Sequence, residues 1–126
     1  MIVIDVYGFK KVNDRWGHLY GDKVLVRLVG TLTRNLRASD MLFRTGGDEF
    51  AILALETSPR EATGLAVRLA GAIRKAFVEE GLSISWGVAA ALEDGQALSP
   101  QEMYLLADRR FYDKKAKISV PREVQT

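Results

Sequence analysis

Arg44-Thr45-Gly46-Gly47-Asp48-Glu49-Phe50 is the stretch that decides how this chain reads. Two adjacent glycines stand between apolar runs, Met41-Leu42-Phe43 before them and Phe50-Ala51-Ile52-Leu53 after. The pattern predicts a β-hairpin with a glycine-built turn, its strands at about 41–45 and 49–55. The carboxylates of Asp48 and Glu49 follow the turn at once. Gly46 and Gly47 put no side chain in the way of a ligand, so the acids beside them suit a divalent cation and a polyphosphate.

Outward from the hairpin, Val24, Leu25, Leu28, Val29, Leu32 and Leu36 recur at helical spacing and predict a helix from about Asp22 to Arg37. In that reading Asp22 is a cap or a dipole partner at the helix start. Further back, Ile2 to Val6 is a β-branched run broken only by Asp5, the pattern of a buried central strand. An acid there is costly unless it is paired, metal-bound or capping the next turn. Between strand and helix, Tyr7-Gly8-Phe9-Lys10 leads into a short helical segment whose first N–H groups can hold phosphate oxygens.

Beyond the hairpin, Thr57-Ser58-Pro59 starts a helix whose buried face is Ala62, Leu65, Ala66, Leu69, Ile73 and Phe77, ending near Gly81. Leu82 to Val88 alternates apolar and polar residues, as a strand with one open face does. Glu93-Asp94-Gly95-Gln96 reads as a turn or loop. Ser99-Pro100-Gln101-Glu102 opens a last helix with Met103, Leu106, Ala107 and Phe111 inward. The resulting order, β-α-α-β-β-α-β-α, predicts one α/β (α+β) sandwich, a mostly antiparallel central sheet with flanking helices. The domain is expected over residues 1–118, with a flexible tail at 119–126. Because the chain opens inside a core strand, an N-terminal part of the domain is expected to be missing.

The 126 residues suit one domain with a real core. A net charge of +2 gives no ground for nucleic acid as a partner, and no cysteine is present for a disulfide or thiolate zinc site. No apolar run approaches the ~18–20 residues of a membrane span, and no signal peptide is visible, so a cytoplasmic setting is expected. The chain has no Walker-type phosphate loop, no HExxH and no GxSxG. His18, the single histidine, reads as structural. If the first strand neighbours the hairpin, Asp5, Asp48 and Glu49 converge at one sheet edge, an oxygen set for Mg²⁺ or Mn²⁺ and phosphoryl transfer.

These residues resemble the GGDEF family of diguanylate cyclase catalytic domains. The likeness rests on Gly46-Gly47-Asp48-Glu49-Phe50 and on Phe9-Lys10, Asn13-Asp14, Gly17-His18, Gly21-Asp22, Ala107-Asp108, Tyr112 and Lys115 at the family's spacing. It covers Ile2 to about Lys117. The resemblance implies a fold related to nucleotidyl cyclase and polymerase palm domains, and condensation of two GTP into cyclic di-GMP and two pyrophosphates by a homodimer. It implies Asp5, the Val6 carbonyl and Asp48 as metal ligands, with Glu49 in the same cluster supporting the metals or the incoming 3′-hydroxyl. Backbone amides around Gly8, Phe9 and Lys10, with Lys115, would hold phosphates. Asn13 and Asp22 would read guanine, whose edge offers N–H donors and a carbonyl acceptor; this replaces the capping role for Asp22. Arg37-Ala38-Ser39-Asp40 matches the family's RxxD inhibitory site for cyclic di-GMP, and Arg68 its second arginine.

Three departures stand beside the match. Tyr7 occupies the place of a usual second acid, Ile118-Ser119-Val120 replaces a Gly-Arg-Asn whose arginine helps hold phosphate, and the family's N-terminal helix and wide turn are absent. An upstream sensor or receiver domain is expected outside this chain. The departures sustain a second reading, a regulatory domain that binds GTP or cyclic di-GMP without catalysis. A purely structural module explains none of the spacing.

Overall fold

In the computed structural model the elements run β1 (Ile2–Tyr7), α1 (Phe9–Trp16), α2 (His18–Arg34), β2 (Met41–Arg44), β3 (Glu49–Leu53), α3 (Pro59–Ala76), β4 (Ser83–Val88), β5 (Leu92–Glu93), β6 (Gln96–Ala97) and α4 (Pro100–Gln125). The structure describes the backbone of residues 1–125 and the side chains of residues 1–113. Lys115 and the expected loose end at 119–126 lie outside the described side chains.

The four long strands form one antiparallel sheet in the order β2-β3-β1-β4, the sandwich the sequence predicts. β1 is central because both its faces are apolar. Ile2, Ile4 and Val6 pack with α2 and α3, while Val3 packs with Ala89, Met103 and Ala107 on the opposite side. Helices α1 to α3 therefore cover one face and α4 the other. α4 comes close to the sheet at Gly87, where a Cβ would lie 1.9 Å from the Ala107 carbonyl oxygen.

Several boundaries differ from the expected ones. α2 begins at His18 rather than Asp22 and ends at Arg34 rather than Arg37. The break is Gly17, at φ 87, whose N–H closes α1 on the Asn13 carbonyl at 2.8 Å while the same residue precedes α2. Asp22 thus sits inside the helix and caps nothing. At the other end the Asn35 amide folds back onto the Thr31 carbonyl at 2.8 Å, ending the helix. α3 has the predicted start: Ser58 and Glu61 exchange side-chain and backbone bonds of 3.1 Å each, a capping box with Pro59 next to it. It stops at Ala76, short of Gly81. Ser99 and Glu102 repeat the box ahead of α4. The expected loop at 93–96 is a small hairpin, β5 on β6, because Asp94 and Gly95 take φ 49 and φ 77, the left-handed pair of a type I′ turn.

One buried charge ties the start of α2 to the segment after α3. The Glu80 carboxylate, 4% exposed, accepts from the Tyr20 hydroxyl at 2.6 Å and from Arg27 at 3.3 Å, and Arg27 lies over the Phe77 ring. The Tyr20 hydrogen bond outweighs burial and, with Arg27, holds the Glu80 carboxyl below the ordinary glutamate range. A depressed folded value means the stabilisation is complete above the unfolded value near 4.5 and is lost as pH falls through the folded one. In denaturant titrations Glu80→Gln should be less stable than the parent at neutral pH, and the gap should close on acidification below about pH 5. A gap independent of pH would show that the charge contributes nothing.

Candidate functional site

The sheet register brings two of the expected acids into one row. Asp5 on β1 faces Glu49 on β3 and Ser85 on β4, and opposed residues in antiparallel strands share a face. By alternation from Val3 this is the α4 side of the sheet. Glu49 is half-buried there. Its Oε1 accepts the Tyr104 hydroxyl from α4 and, at 3.2 Å, the Thr45 hydroxyl from the turn. Asp108, one helical turn beyond Tyr104, also lies near. Burial first, and the Glu49 charge second, push the Asp108 carboxyl up. The hydrogen bond to Glu49, then burial, push the Tyr104 hydroxyl up.

Asp48 does not join that row. It belongs to the four-residue turn 45–48, is exposed, and hands its carbonyl to the Val6 N–H at 2.8 Å. Among the described residues no three His, Cys, Asp or Glu side chains stand close enough to enclose a metal ion, so the expected three-acid convergence is not preformed. The reason is geometric: Asp48 precedes Glu49 and stands opposite Val6, so alternation turns it to the other side of the sheet from the row of Asp5 and Glu49. The oxygens of Asp5, Asp48 and the Val6 carbonyl nonetheless match Mg²⁺ chemistry, which typically uses one or two carboxylates and completes its shell with water and substrate phosphates. The residues present fit such an ion.

Gly46 and Gly47 are not at positive φ, so the backbone conformation does not demand them. A Cβ on Gly47 would meet nothing within 4 Å, so the glycine keeps space open outside the turn. Arg44 closes over it, donating from Nε and Nη2 to the Gly47 carbonyl at 3.1 and 2.6 Å, and from Nε to the Gly46 carbonyl at 3.2 Å.

Beside the turn lies a cleft of about 380 Å³ lined by Phe9, Lys10, Asn13, His18, Asp22, Leu25, Arg44, Gly47 and Asp48. The structure thus gathers Asn13, Asp22, Lys10 and Asp48, the residues expected to read the base, hold phosphate and bind the metal, around one space. Gly8 makes this possible. At φ 99 it turns the chain from β1 into α1, and a Cβ there would stand 2.9 Å from the Gly81 carbonyl. α1 begins with no side-chain cap and no acid in its first turn, which leaves its N–H groups suited to anions. His18 and Arg44 were not expected in the cleft. His18 precedes Asp22 by four residues on α2, a same-face spacing that the sequence displays once the helix start is known.

A second cleft, of about 360 Å³, unites Arg37, Asp40 and Arg68 with Thr57, Glu61, Gly64 and Leu65. It is more than a solvated ion pair. The Asp40 side chain is 1% exposed and accepts from the Arg37 N–H at 2.8 Å and its guanidinium at 3.2 Å. Arg37 Nη2 also donates to the Leu55 carbonyl at 2.8 Å and the Thr57 hydroxyl at 2.6 Å.

Comparisons with known proteins agree with this geometry. The family described as "Diguanylate cyclase, GGDEF domain" matches residues 1–119. The probable diguanylate cyclase DgcT of Escherichia coli (strain K12) is 35% identical over 122 residues, covering 91% of this chain and 26% of that protein. Among solved structures, the isolated GGDEF domain of Pseudomonas aeruginosa TpbB (also YfiN) aligns with TM-score 0.77 and 30% identity over 99% of this chain and 80% of that one. A microbial GGDEF domain, solved in a study of its interaction with bis-(3′,5′)-cyclic di-GMP, aligns with TM-score 0.72 and 37% identity over 92% of this chain and 71% of that one. The chain spans about a quarter of the length of curated relatives such as DgcT. Among the described residues no helix is long and apolar enough to cross a membrane.

The cleft offers a local test. A Cβ on Gly21 would lie 1.8 Å from Asn13 Oδ1, the movable end of a side chain. Gly21→Ala should swing Asn13 out of place at little cost in melting temperature and, if the cleft takes GTP as the family match leads one to expect, weaken that binding about tenfold, ~1.4 kcal/mol, by titration calorimetry. Unchanged affinity would remove Asn13 from base recognition.

Proposed function

The chain belongs to the GGDEF family, and on that premise we propose that it is a diguanylate cyclase domain, condensing two GTP into cyclic di-GMP with release of two pyrophosphates. The observation that carries the reading is the cleft where Asn13, Asp22, Lys10 and Asp48 line one space beside an uncapped helix start. Asn13 reads the guanine edge as donor and acceptor, and the Asp22 carboxylate accepts from its N–H groups. The first N–H groups of α1 and Lys10, with Lys115, hold the terminal phosphates. Asp5, the Val6 carbonyl and Asp48 would hold Mg²⁺ or Mn²⁺, which when bound would neutralise the phosphates and polarise the α-phosphoryl group. Glu49 stands by the incoming 3′-hydroxyl.

In each of two steps the 3′-hydroxyl oxygen of one GTP bonds to the α-phosphorus of the other, the hydroxyl proton departs and the bond to pyrophosphate breaks. One domain presents one GTP, so two copies must face each other for either step. The GTP substrate favours a cytoplasmic setting, and the greater length of the relatives favours further domains that control pairing. Arg37, Asp40 and Arg68 form a product site, where arginines suit the phosphates and guanine edges of cyclic di-GMP.

One observation favours a second reading, a nucleotide-binding regulatory domain without turnover. Tyr7, in place of the usual second acid, is 63% exposed two residues past Asp5, and contributes no carboxylate to the metal.

Purified protein with GTP and Mg²⁺ should yield cyclic di-GMP by chromatography, at a rate rising steeply with protein concentration. Asp48→Ala should lower that rate by about 10²-fold or more with the fold retained. GTP or cyclic di-GMP binding without product at high protein concentration would instead establish the regulatory reading. The Arg37→Ala, Asp40→Ala double variant should keep turnover and lose inhibition by added cyclic di-GMP; retained sensitivity would count against the product site.

A further inference from the structure

The contact between α4 and Glu49 goes beyond the roles above. Gly87 lets α4 lie against β4 at backbone distance, and this sets how far residues on that helix reach over the sheet. Met103 and Ala107 fill the core beneath it. Tyr104, beside them in sequence, extends across the same face to the acid row. Its hydroxyl donates to Glu49 Oε1, the same oxygen that accepts from Thr45. One carboxylate oxygen is therefore held from two independent elements, the hairpin turn and a helix 55 residues away in sequence. A glutamate side chain left to itself samples several rotamers, and ordering it costs conformational entropy. Here two hydroxyls impose that order before any ligand arrives.

We propose that Tyr104 is a positioning residue for Glu49, pinning one carboxylate oxygen to α4 and thereby setting the orientation in which the carboxylate meets the incoming 3′-hydroxyl. The assignment rests on the cyclase reading above. It is specific to the phenol oxygen: the ring packs against the second core cluster, and phenylalanine would preserve that packing while removing the bond to Glu49. Glu49 does not line the base- and phosphate-side cleft, whereas Asn13, Asp22 and Lys10 do. Tyr104 accordingly acts on turnover and leaves nucleotide affinity alone.

Tyr104→Phe, compared with wild-type protein and Tyr104→Leu, tests this. Partners that orient metal-site carboxylates typically contribute 10- to 100-fold, so Tyr104→Phe should lower kcat by roughly that factor. KM for GTP should stay within about twofold, as for loss of an interaction made only in the transition state. The melting temperature and the calorimetric affinity for a non-reactive α,β-methylene GTP analogue with Mg²⁺ should be unchanged. Tyr104→Leu should lose stability as well, since it also removes ring packing. Wild-type kcat in Tyr104→Phe would overturn the assignment and leave the cyclase reading intact. A matched loss of stability or analogue affinity in that variant would equally overturn it, by making the hydroxyl structural. Absence of product from wild-type protein would bring down the cyclase reading itself, and the assignment with it.

Discussion

The structure depends on a strand that is buried on both faces and carries a carboxylate. Ile2, Ile4 and Val6 are sealed by α2 and α3, and Val3 by α4, so β1 has no solvated side along most of its length. Asp5 can be tolerated only near the open end of that strand, where it is partly exposed and faces polar neighbours, Glu49 and Ser85, across the ladder. That single constraint places the other parts. The chain must turn immediately beyond Tyr7, Gly8 supplies the turn, and α1 starts beside the cleft that Gly47 and Asp48 line. A bond from Val6 N–H to the Asp48 carbonyl then ties the hairpin turn to the same strand end.

How much of this was legible follows from which interactions are local. The order of the long elements, the capping boxes at Ser58 and Ser99, and the inward stripe of α3 are written in residues within one or two helical turns of each other. The pairing of β1 with β3 entered as a condition, and the register Asp5 opposite Glu49 meets it. The start of α2 was misread because the apolar stripe begins at Val24, whereas the chain turns into the helix at Gly17, where a left-handed φ rather than hydrophobicity sets the boundary. Asp94-Gly95 signalled a turn, and only the strand pairs flanking it were missed.

Within the site, the lining of the two clefts followed the expected residues closely, while their gaps are instructive. Asp48 left the acid row because neighbouring residues at a strand end face opposite sides of the sheet, a distinction that adjacency to Glu49 conceals. Tyr104 and Asp108 were unreadable as partners of Glu49 because their approach depends on the height of α4 above the sheet. That height depends on the absence of a side chain at Gly87, far from Tyr104 in sequence.

The β2–β3 hairpin has a mechanical consequence. At one end it carries the turn with Asp48; at the other, Arg37 and Asp40 lead into β2, and Thr57 follows shortly after β3. The strands are four and five residues long, so the ends lie on the order of 15 Å apart along a paired rod. Arg37 holds the Leu55 carbonyl and Thr57 hydroxyl beyond the end of β3 remote from the turn, so a ligand that drew it away would loosen that anchorage. Whatever free energy passes along the hairpin in this way is symmetric between the two clefts. Occupancy of the cleft beside the turn would alter affinity at the arginine cleft by the same factor as the reverse, although turnover rates are bound by no such equality.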